Sequence, residues 1–313
     1  MRATVSLHGG GGKIGSSISW TILRFFIEDG AVFFIASATD IPTVPPQYVS
    51  ISSAVLVWAT LGGLIVYYRA LVRMVDRGGR LRRDMLGIPD LPVVAVLLCV
   101  LGLIAVSTWL PKGPPAPMNS AHIIPGALEF AVFPLGILVF LNARNISIIE
   151  LFGLRKVPVV TALGYGFGFL VALLPIFIAA SEFAARKLGS EAKLQPLVEL
   201  YQTAVRNHDW TVIWHTCLAA AVIAPIAEEI LFRGYLYQAL KRFIGPIPSA
   251  ILGAVLFAAI HPTAAGLPGL TLLALALTIA FEWSGSLLVP IVMHALFNSL
   301  SLAWGAWTTS QLP

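Results

Sequence analysis

The amino-acid sequence predicts an all-α fold, a polytopic bundle of about eight transmembrane helices with its functional site inside the bundle. Hydrophobic residues make up 58% of the 313 residues and charged residues only 11%, against roughly 45–50% and about 25% in soluble domains. The hydrophobic residues occur in runs of about 20 with few or no charges, the length that a helix needs to cross a bilayer. These runs lack the alternation of apolar and polar residues that is typical of barrel strands. We therefore expect an integral, multi-pass membrane protein.

The predicted elements divide the chain into three parts. Residues 1–50 are expected to be an N-terminal extension, because charged residues interrupt their apolar stretches. Residues 51–209 are expected to hold accessory spans and a surface segment of mixed charge, and residues 210–308 form the predicted core domain. The predicted spans are 51–68, 91–110, 123–142, 158–180, 211–243, 247–265, 267–282 and 286–308.

The formal net charge of +5 comes mainly from arginine and lysine in the links between spans. An excess of these residues is typical of cytoplasmic loops. All the basic clusters agree on one orientation, with both ends of the chain outside, and they indicate a membrane rather than a nucleic acid as the partner. In a bacterium this corresponds to the inner membrane. The basic residues concerned are Arg69, Arg73, Arg77, Arg80, Arg82, Arg83, Arg144, Arg155, Lys156, Lys241 and Arg242.

Ionisable residues within the spans are few. A charged group near the middle of a bilayer costs about 2.5–3.5 kcal/mol on insertion scales, so each one requires a reason. Most of them lie in the final third of the chain, which predicts one shared polar site. They are Glu129, His215, Glu228, Glu229, Arg233, His261 and His294. His215 is interpreted as a hydrogen-bonded packing residue, whereas Glu129 either lines a cavity or pairs with a cation further along the chain.

Two adjacent glutamates in the span 211–243 have different predicted roles. Glu229 and Arg233 are four residues apart and share a helix face, so they are expected to form an ion pair. Glu228 points about 100° away and has no cation at this spacing, which leaves its carboxylate available for chemistry. Pro225 lacks a backbone N–H and is expected to kink the helix before the pair.

The positions of polar residues along three spans predict that their side chains meet. At about 1.5 Å per residue, Glu228 and His261 each lie about 20 Å from the predicted cytoplasmic surface. His294 is expected somewhat closer to that surface, with Asn298 one turn further along the same helix face. Phe257, one turn before His261, is interpreted on its own as a packing aromatic. A carboxylate, two imidazoles and an amide are therefore expected to converge.

Three short motifs occur in order along these spans, namely Glu228-Glu229-x-x-x-Arg233, Phe257-x-x-x-His261 and His294-x-x-x-Asn298. Together they resemble the three motifs of the CPBP family of intramembrane proteases, which includes the type II CAAX prenyl endopeptidases and abortive-infection-type membrane proteins. The run 285–291 before His294 is similar to the family's usual lead-in to its third motif. The resemblance covers about residues 210–305.

The resemblance implies hydrolysis of peptide bonds in membrane-associated substrates, either CAAX-type C-terminal processing of a lipidated protein or cleavage of another peptide or membrane protein. It implies that Glu228 activates a water that His261 helps to hold and polarise. It also implies that His294 and Asn298 hydrogen-bond the developing oxyanion. Glu229, Arg233 and Phe257 would support the site without touching the substrate.

Other interpretations stay open on the residues alone. Glu228, His261 and His294 also match the ligand set of a catalytic zinc ion, although the sequence lacks the HExxH motif of zinc metalloproteases. A serine protease would use Ser286 with His294. A transporter or channel would use Glu129, Glu228 and the histidines as a proton path, and a non-catalytic chain would bind a partner within the membrane. The sequence predicts no particular oligomeric state.

Overall fold

The computed structural model describes residues 46–76, 81, 85–110, 121, 123–188 and 196–310. Most of the predicted N-terminal extension and the arginines at 77, 80, 82 and 83 therefore lie outside the described residues. Within those ranges the chain forms helices joined by turns, without a strand. The helices are α1 (Pro46–Asp76), α2 (Leu91–Trp109), α3 (Ile123–Ala143), α4 (Ile148–Leu151), α5 (Val159–Leu188), α6 (Pro196–Arg206), α7 (Trp210–Ile244), α8 (Pro246–Ala259), α9 (Leu267–Ser284) and α10 (Leu288–Ser310).

Six helices of the described part are long and apolar enough to cross a membrane, which confirms the predicted helical, multi-pass fold class. They are α2 with its preceding turn, α3, α5, α7, α9 and α10. The other two predicted spans correspond to α1, a helix of 31 residues, and to α8, a helix of 14 residues. Many large apolar side chains on α1, α2, α3 and α5 are exposed, as expected of surfaces that face lipid.

Helix α8 ends earlier than the predicted span 247–265. Its 14 residues measure about 21 Å, less than the roughly 30 Å hydrocarbon core of a bilayer. Pro262 explains the early end, because a proline disfavours helical backbone in the residue before it. Most of the following turn is buried in protein, and the Thr263 hydroxyl oxygen accepts a hydrogen bond from the Gly266 N–H at 3.0 Å. Irregular backbone at membrane depth is tolerated under those conditions.

Helix α9 occupies the centre of the bundle. It packs against α1, α5, α8 and α10, and it is the most enclosed of the six candidate spans. Helix α10 also packs against α5 and α6, and α3 packs against the middle of α7. Residues that α7, α8 and α10 turn toward α9 are therefore shielded from lipid.

The long helix α7 contains two π-helical segments, Ala219–Ile223 and Ile230–Tyr237. In the first, the Ala224 N–H donates to the Ala219 carbonyl, five residues back. Segments of this kind are uncommon and occur frequently at functional sites. They flank the short α-helical stretch Ala224–Glu229, so the backbone register changes on both sides of the two glutamates.

Candidate active site

Glu228 and Glu229 lie between the two π segments and are both buried, with 3% and 0% exposure. Glu229 Oε1 accepts a hydrogen bond from Arg233 Nη1 at 2.8 Å, so the ion pair predicted from their spacing is present. Arg233 is itself 2% exposed and donates through Nη2 to the Ala274 carbonyl of α9 at 2.9 Å. Both terminal nitrogens of the buried guanidinium group are therefore hydrogen-bonded, and its positive charge stabilises the charge of Glu229.

Glu229 also fixes the orientation of His294. The same Oε1 atom lies 3.0 Å from Nδ1 of His294. Because a carboxylate paired with arginine can only accept, Nδ1 carries the proton and donates to it. In the neutral form of the ring, Nε2 is then the acceptor and carries the lone pair. His294 is therefore set up to accept a proton or a hydrogen bond at Nε2.

The lone pair of His294 faces the second glutamate. His294 Nε2 and Glu228 Oε2 are 3.8 Å apart, and both side chains are buried. Neither atom makes a hydrogen bond with any residue in the part of the chain that the structure describes. This distance is too long for a direct hydrogen bond but allows one water to bridge the two atoms. The pair forms the polar centre of the site.

His261 joins this centre through Phe257. Its Nδ1 lies 2.6 Å from the Phe257 carbonyl, so Nδ1 donates and the neutral ring presents Nε2 as an acceptor. The Phe257 ring is fully buried, and its centroid lies 4.9 Å from that of His261 and 5.9 Å from that of His294. Arg233 Cζ lies 5.0 Å from the same ring, in the range of a cation–π interaction. Phe257 thus contacts residues of all three motifs.

Asn298 holds the backbone of α7 across the bundle. Its Nδ2 donates to the Ala220 carbonyl at 2.7 Å. In the π register, that carbonyl would accept from the N–H of residue 225, which is a proline and has none. The predicted kink at Pro225 is thus a π turn whose missing hydrogen bond comes from Asn298. One N–H of the amide remains for another acceptor.

The remaining sequence candidates form no ion pair or hydrogen bond with this centre among the described residues. Glu129, on α3, is half-buried, and within the described ranges it forms no ion pair with the site. His215 is half-buried near the start of α7, again without an ion pair to a described residue of the site. Ser286 is buried in the turn between α9 and α10, and its hydroxyl makes no hydrogen bond with His294. A serine–histidine pair is therefore not formed.

Two further buried charge clusters escaped the sequence analysis. Lys241, expected at the cytoplasmic surface, is 2% exposed and forms an ion pair with Glu282 Oε1 of α9, which also accepts from the Tyr237 hydroxyl at 2.7 Å. Asp90 is fully buried and pairs with Arg144. The sequence does contain a signal for the Lys241–Glu282 pair, because Glu282 is a glutamate at the end of the apolar span 267–282. These clusters fasten α7 to α9 and α2 to α3 near their predicted cytoplasmic ends.

The predicted zinc ligands are only partly brought together. Glu228 Oε2 and His294 Nε2 flank a common point, but no three His, Cys, Asp or Glu side chains among the described residues are grouped to hold a metal ion. A catalytic zinc site uses three protein ligands. The zinc ligand set stays a prediction.

Comparison with known protein families matches this part of the chain. Residues 210–300 match the family model described as "Type II CAAX prenyl endopeptidase Rce1-like". This segment is therefore similar to the protease domain of the CPBP family. It contains Glu228, His261, His294 and Asn298, whereas α1 to α6 lie outside it. No curated protein matched the chain, and no solved structure matched it.

Proposed function

We propose that the chain is an intramembrane endopeptidase in which Glu228 activates a water for attack on a peptide bond. The observation that carries this proposal is the buried pair of Glu228 Oε2 and His294 Nε2, which are 3.8 Å apart and have no hydrogen-bond partner among the described residues. Buried polar atoms without partners are costly, so their retention in a membrane protein indicates use. The family match supports the same reaction class.

In the proposed reaction, a water lies between Glu228 Oε2 and His294 Nε2. Glu228 takes one proton of this water while the water oxygen forms a bond to the peptide carbonyl carbon. His294 accepts a hydrogen bond from the other proton of the water. The C–N bond then breaks, and Glu228 returns the proton to the leaving nitrogen. Glu229 and Arg233 act as positioning residues, because they hold His294 with Nε2 toward the water.

The oxyanion requires donors rather than acceptors. The second N–H of Asn298 is proposed to donate to it, since the first N–H is used by the Ala220 carbonyl. His294 becomes a donor at Nε2 only when its ring is protonated. His261, whose ring also contacts Phe257, is proposed to help hold and polarise the water, as the family resemblance implies.

The role of Asn298 is testable apart from its structural bond. Asn298→Leu should lower stability by about 1–3 kcal/mol, because the Ala220 carbonyl is left unsatisfied. Adding Pro225→Ala supplies the missing backbone N–H and should restore part of that stability. Peptide release should stay low in the double variant. Recovery of activity together with stability would contradict a catalytic donor and leave Asn298 as a structural tie.

The central experiment compares matched glutamine variants of two carboxylates. The full chain is reconstituted in vesicles with a membrane proteome, and released peptides are identified by mass spectrometry. Glu228→Gln should lower peptide release about 10²–10⁴-fold, the usual contribution of a general base. Glu182→Gln, which changes an exposed carboxylate on α5, should leave release unchanged. Ion flux without any peptide release from the unaltered chain would favour a transporter instead.

The substrate class and the metal are tested on the same preparation. A prenylated CAAX-type peptide, its unprenylated counterpart and a membrane-spanning peptide without a C-terminal cysteine distinguish C-terminal processing from general intramembrane cleavage. We propose that the prenylated peptide is cleaved fastest. Metal analysis and chelation decide between a zinc-dependent mechanism and the metal-free mechanism proposed above. Zinc bound in a stoichiometric amount, together with loss of activity on chelation, would mean that the reaction depends on zinc and would contradict the metal-free mechanism.

A further inference from the structure

A cavity lies between α1, α5 and α9, and no residue of the catalytic centre lines it. Its volume is about 480 Å³, within the range of ligand sites of known proteins. The residues that matter for its chemistry are Arg69, Arg73, Gly164, Tyr165, Gly168 and Trp283. None of them belongs to the three motifs, so the catalytic proposal does not account for this cavity.

Two arginines give the cavity its charge. Arg69 and Arg73 are four residues apart on α1 and therefore share a helix face, where like charges destabilise each other. Neither forms an ion pair with an acidic side chain in the ranges described. Arg73 Cζ lies 5.8 Å from the ring of Trp283, which helps to hold the guanidinium at the cavity wall. Arg69 is exposed and Arg73 is half-buried, so both guanidinium groups are accessible to an anion at the cavity.

The rest of the cavity is apolar and open. Gly164 and Gly168 lie one turn apart on α5, and a Cβ atom added at either position would meet no atom within 4 Å. Tyr165 and Trp283 pack edge to face beside them, with ring centroids 4.9 Å apart. Tyrosine and tryptophan are enriched where a membrane meets water. The cavity therefore combines an open apolar channel beside the two glycines with a positively charged part beside the two arginines.

We propose that this cavity binds an anionic membrane phospholipid. The phosphodiester lies between Arg69 and Arg73, which can donate bidentate hydrogen bonds to it. One acyl chain lies along the channel left by Gly164 and Gly168. Both arginines lie near the C-terminal end of α1, which the basic residues of the chain place at the cytoplasmic leaflet, where anionic lipids bind basic pockets between helices. This inference is independent of the proposed peptidase activity.

Trp283 provides a direct reporter for the site. The full chain is reconstituted in phosphatidylcholine vesicles that contain a small fraction of brominated phosphatidylglycerol, a quencher of tryptophan fluorescence. The Trp283 signal is the difference between each protein and its Trp283→Phe counterpart. Titration with the brominated lipid gives the preference of the site for phosphatidylglycerol over phosphatidylcholine.

Variants separate the charge of the cavity from its shape. Arg69→Gln and Arg73→Gln should each lower the preference about fivefold, whereas Arg155→Gln, which removes an exposed arginine outside the cavity, should not change it. Gly168→Leu should abolish quenching of Trp283 with both arginines intact, because its side chain fills the channel. Leucine also favours helix over glycine, so this variant should fold.

Two results would overturn the proposal. The first is an unchanged preference for phosphatidylglycerol after both arginines are replaced, which would show that the lipid does not bind between them. The second is displacement of the brominated lipid by millimolar inorganic phosphate as effectively as by unlabelled phosphatidylglycerol. That result would assign the cavity to a free anion.

Discussion

Replacing Arg233 by methionine removes the cation that neutralises Glu229 and keeps a side chain of similar length. Arg233 and Glu229 have side-chain exposures of only 2% and 0%, so water cannot replace the lost partner. The substitution also removes one donor from the Ala274 carbonyl. Breaking a buried ion pair from one side costs about 3–5 kcal/mol, because an uncompensated charge remains. We expect Arg233→Met to lower the free energy of unfolding by that amount.

The double variant Arg233→Met/Glu229→Gln tests the reason for this loss. It removes both charges, and glutamine still presents an oxygen to the Nδ1–H of His294. The double variant should therefore be more stable than Arg233→Met alone, with a coupling of about 2–3 kcal/mol between the two positions.

A matched control exists on α5, where Arg186 and Glu182 form an ion pair with the same four-residue spacing. Their side chains are 81% and 50% exposed. Arg186→Met should cost less than about 1 kcal/mol. The assay is equilibrium unfolding of the reconstituted chain, followed by circular dichroism. A cost for Arg233→Met no larger than for Arg186→Met, or additive effects in the double variant, would refute the account of a charge-neutralised core.

The remaining predictions concern the parts that hold the site in place, and both are read from unfolding curves. Lys241→Met should destabilise the chain by about 3–5 kcal/mol by leaving Glu282 buried and unpaired, whereas the same change at the exposed neighbour Arg242 should stay within about 0.5 kcal/mol. Equal effects would contradict the buried pair. Gly153 has φ +61°, and a Cβ there would overlap the carbonyl oxygen of Gly285, so Gly153→Ala should cost about 2 kcal/mol or more. Alanine at Gly136, a helical position with open space around it, should stabilise by about 0.5–1 kcal/mol, and similar values for the two glycines would argue against the close turn contact.

Features governed by local spacing were predictable from the sequence. The fold class followed from composition and run length, and the Glu229–Arg233 pair followed from four-residue spacing on one helix. Counting residues from the predicted surface placed Glu228 and His261 at one depth, with His294 somewhat closer to that surface, and so predicted that these side chains converge. Each of these inferences uses the geometry of a single helix or the thickness of a bilayer.

Features that depend on contacts between helices were not predictable. The π register of α7 and the bond from Asn298 to Ala220 require knowledge of which carbonyl faces α10. The orientation of His294 depends on Glu229, far away in sequence. The burial of Lys241 was also not predictable, because a basic residue at a helix end usually reaches water, whereas here Glu282 of α9 provides a buried partner. The end of α8 was overlooked although Pro262 signals it.

The central claim is that Glu228 and His294 act together on one water. The most direct measurement compares the peptide-release rates of Glu228→Gln, His294→Gln and the variant that carries both changes, at equal amounts of folded protein. Residues that act as a unit show strongly non-additive effects. We predict that the double variant releases peptides no more slowly than the slower single variant. Losses that multiply in the double variant, or a rate for Glu228→Gln close to that of the unaltered chain, would contradict the claim.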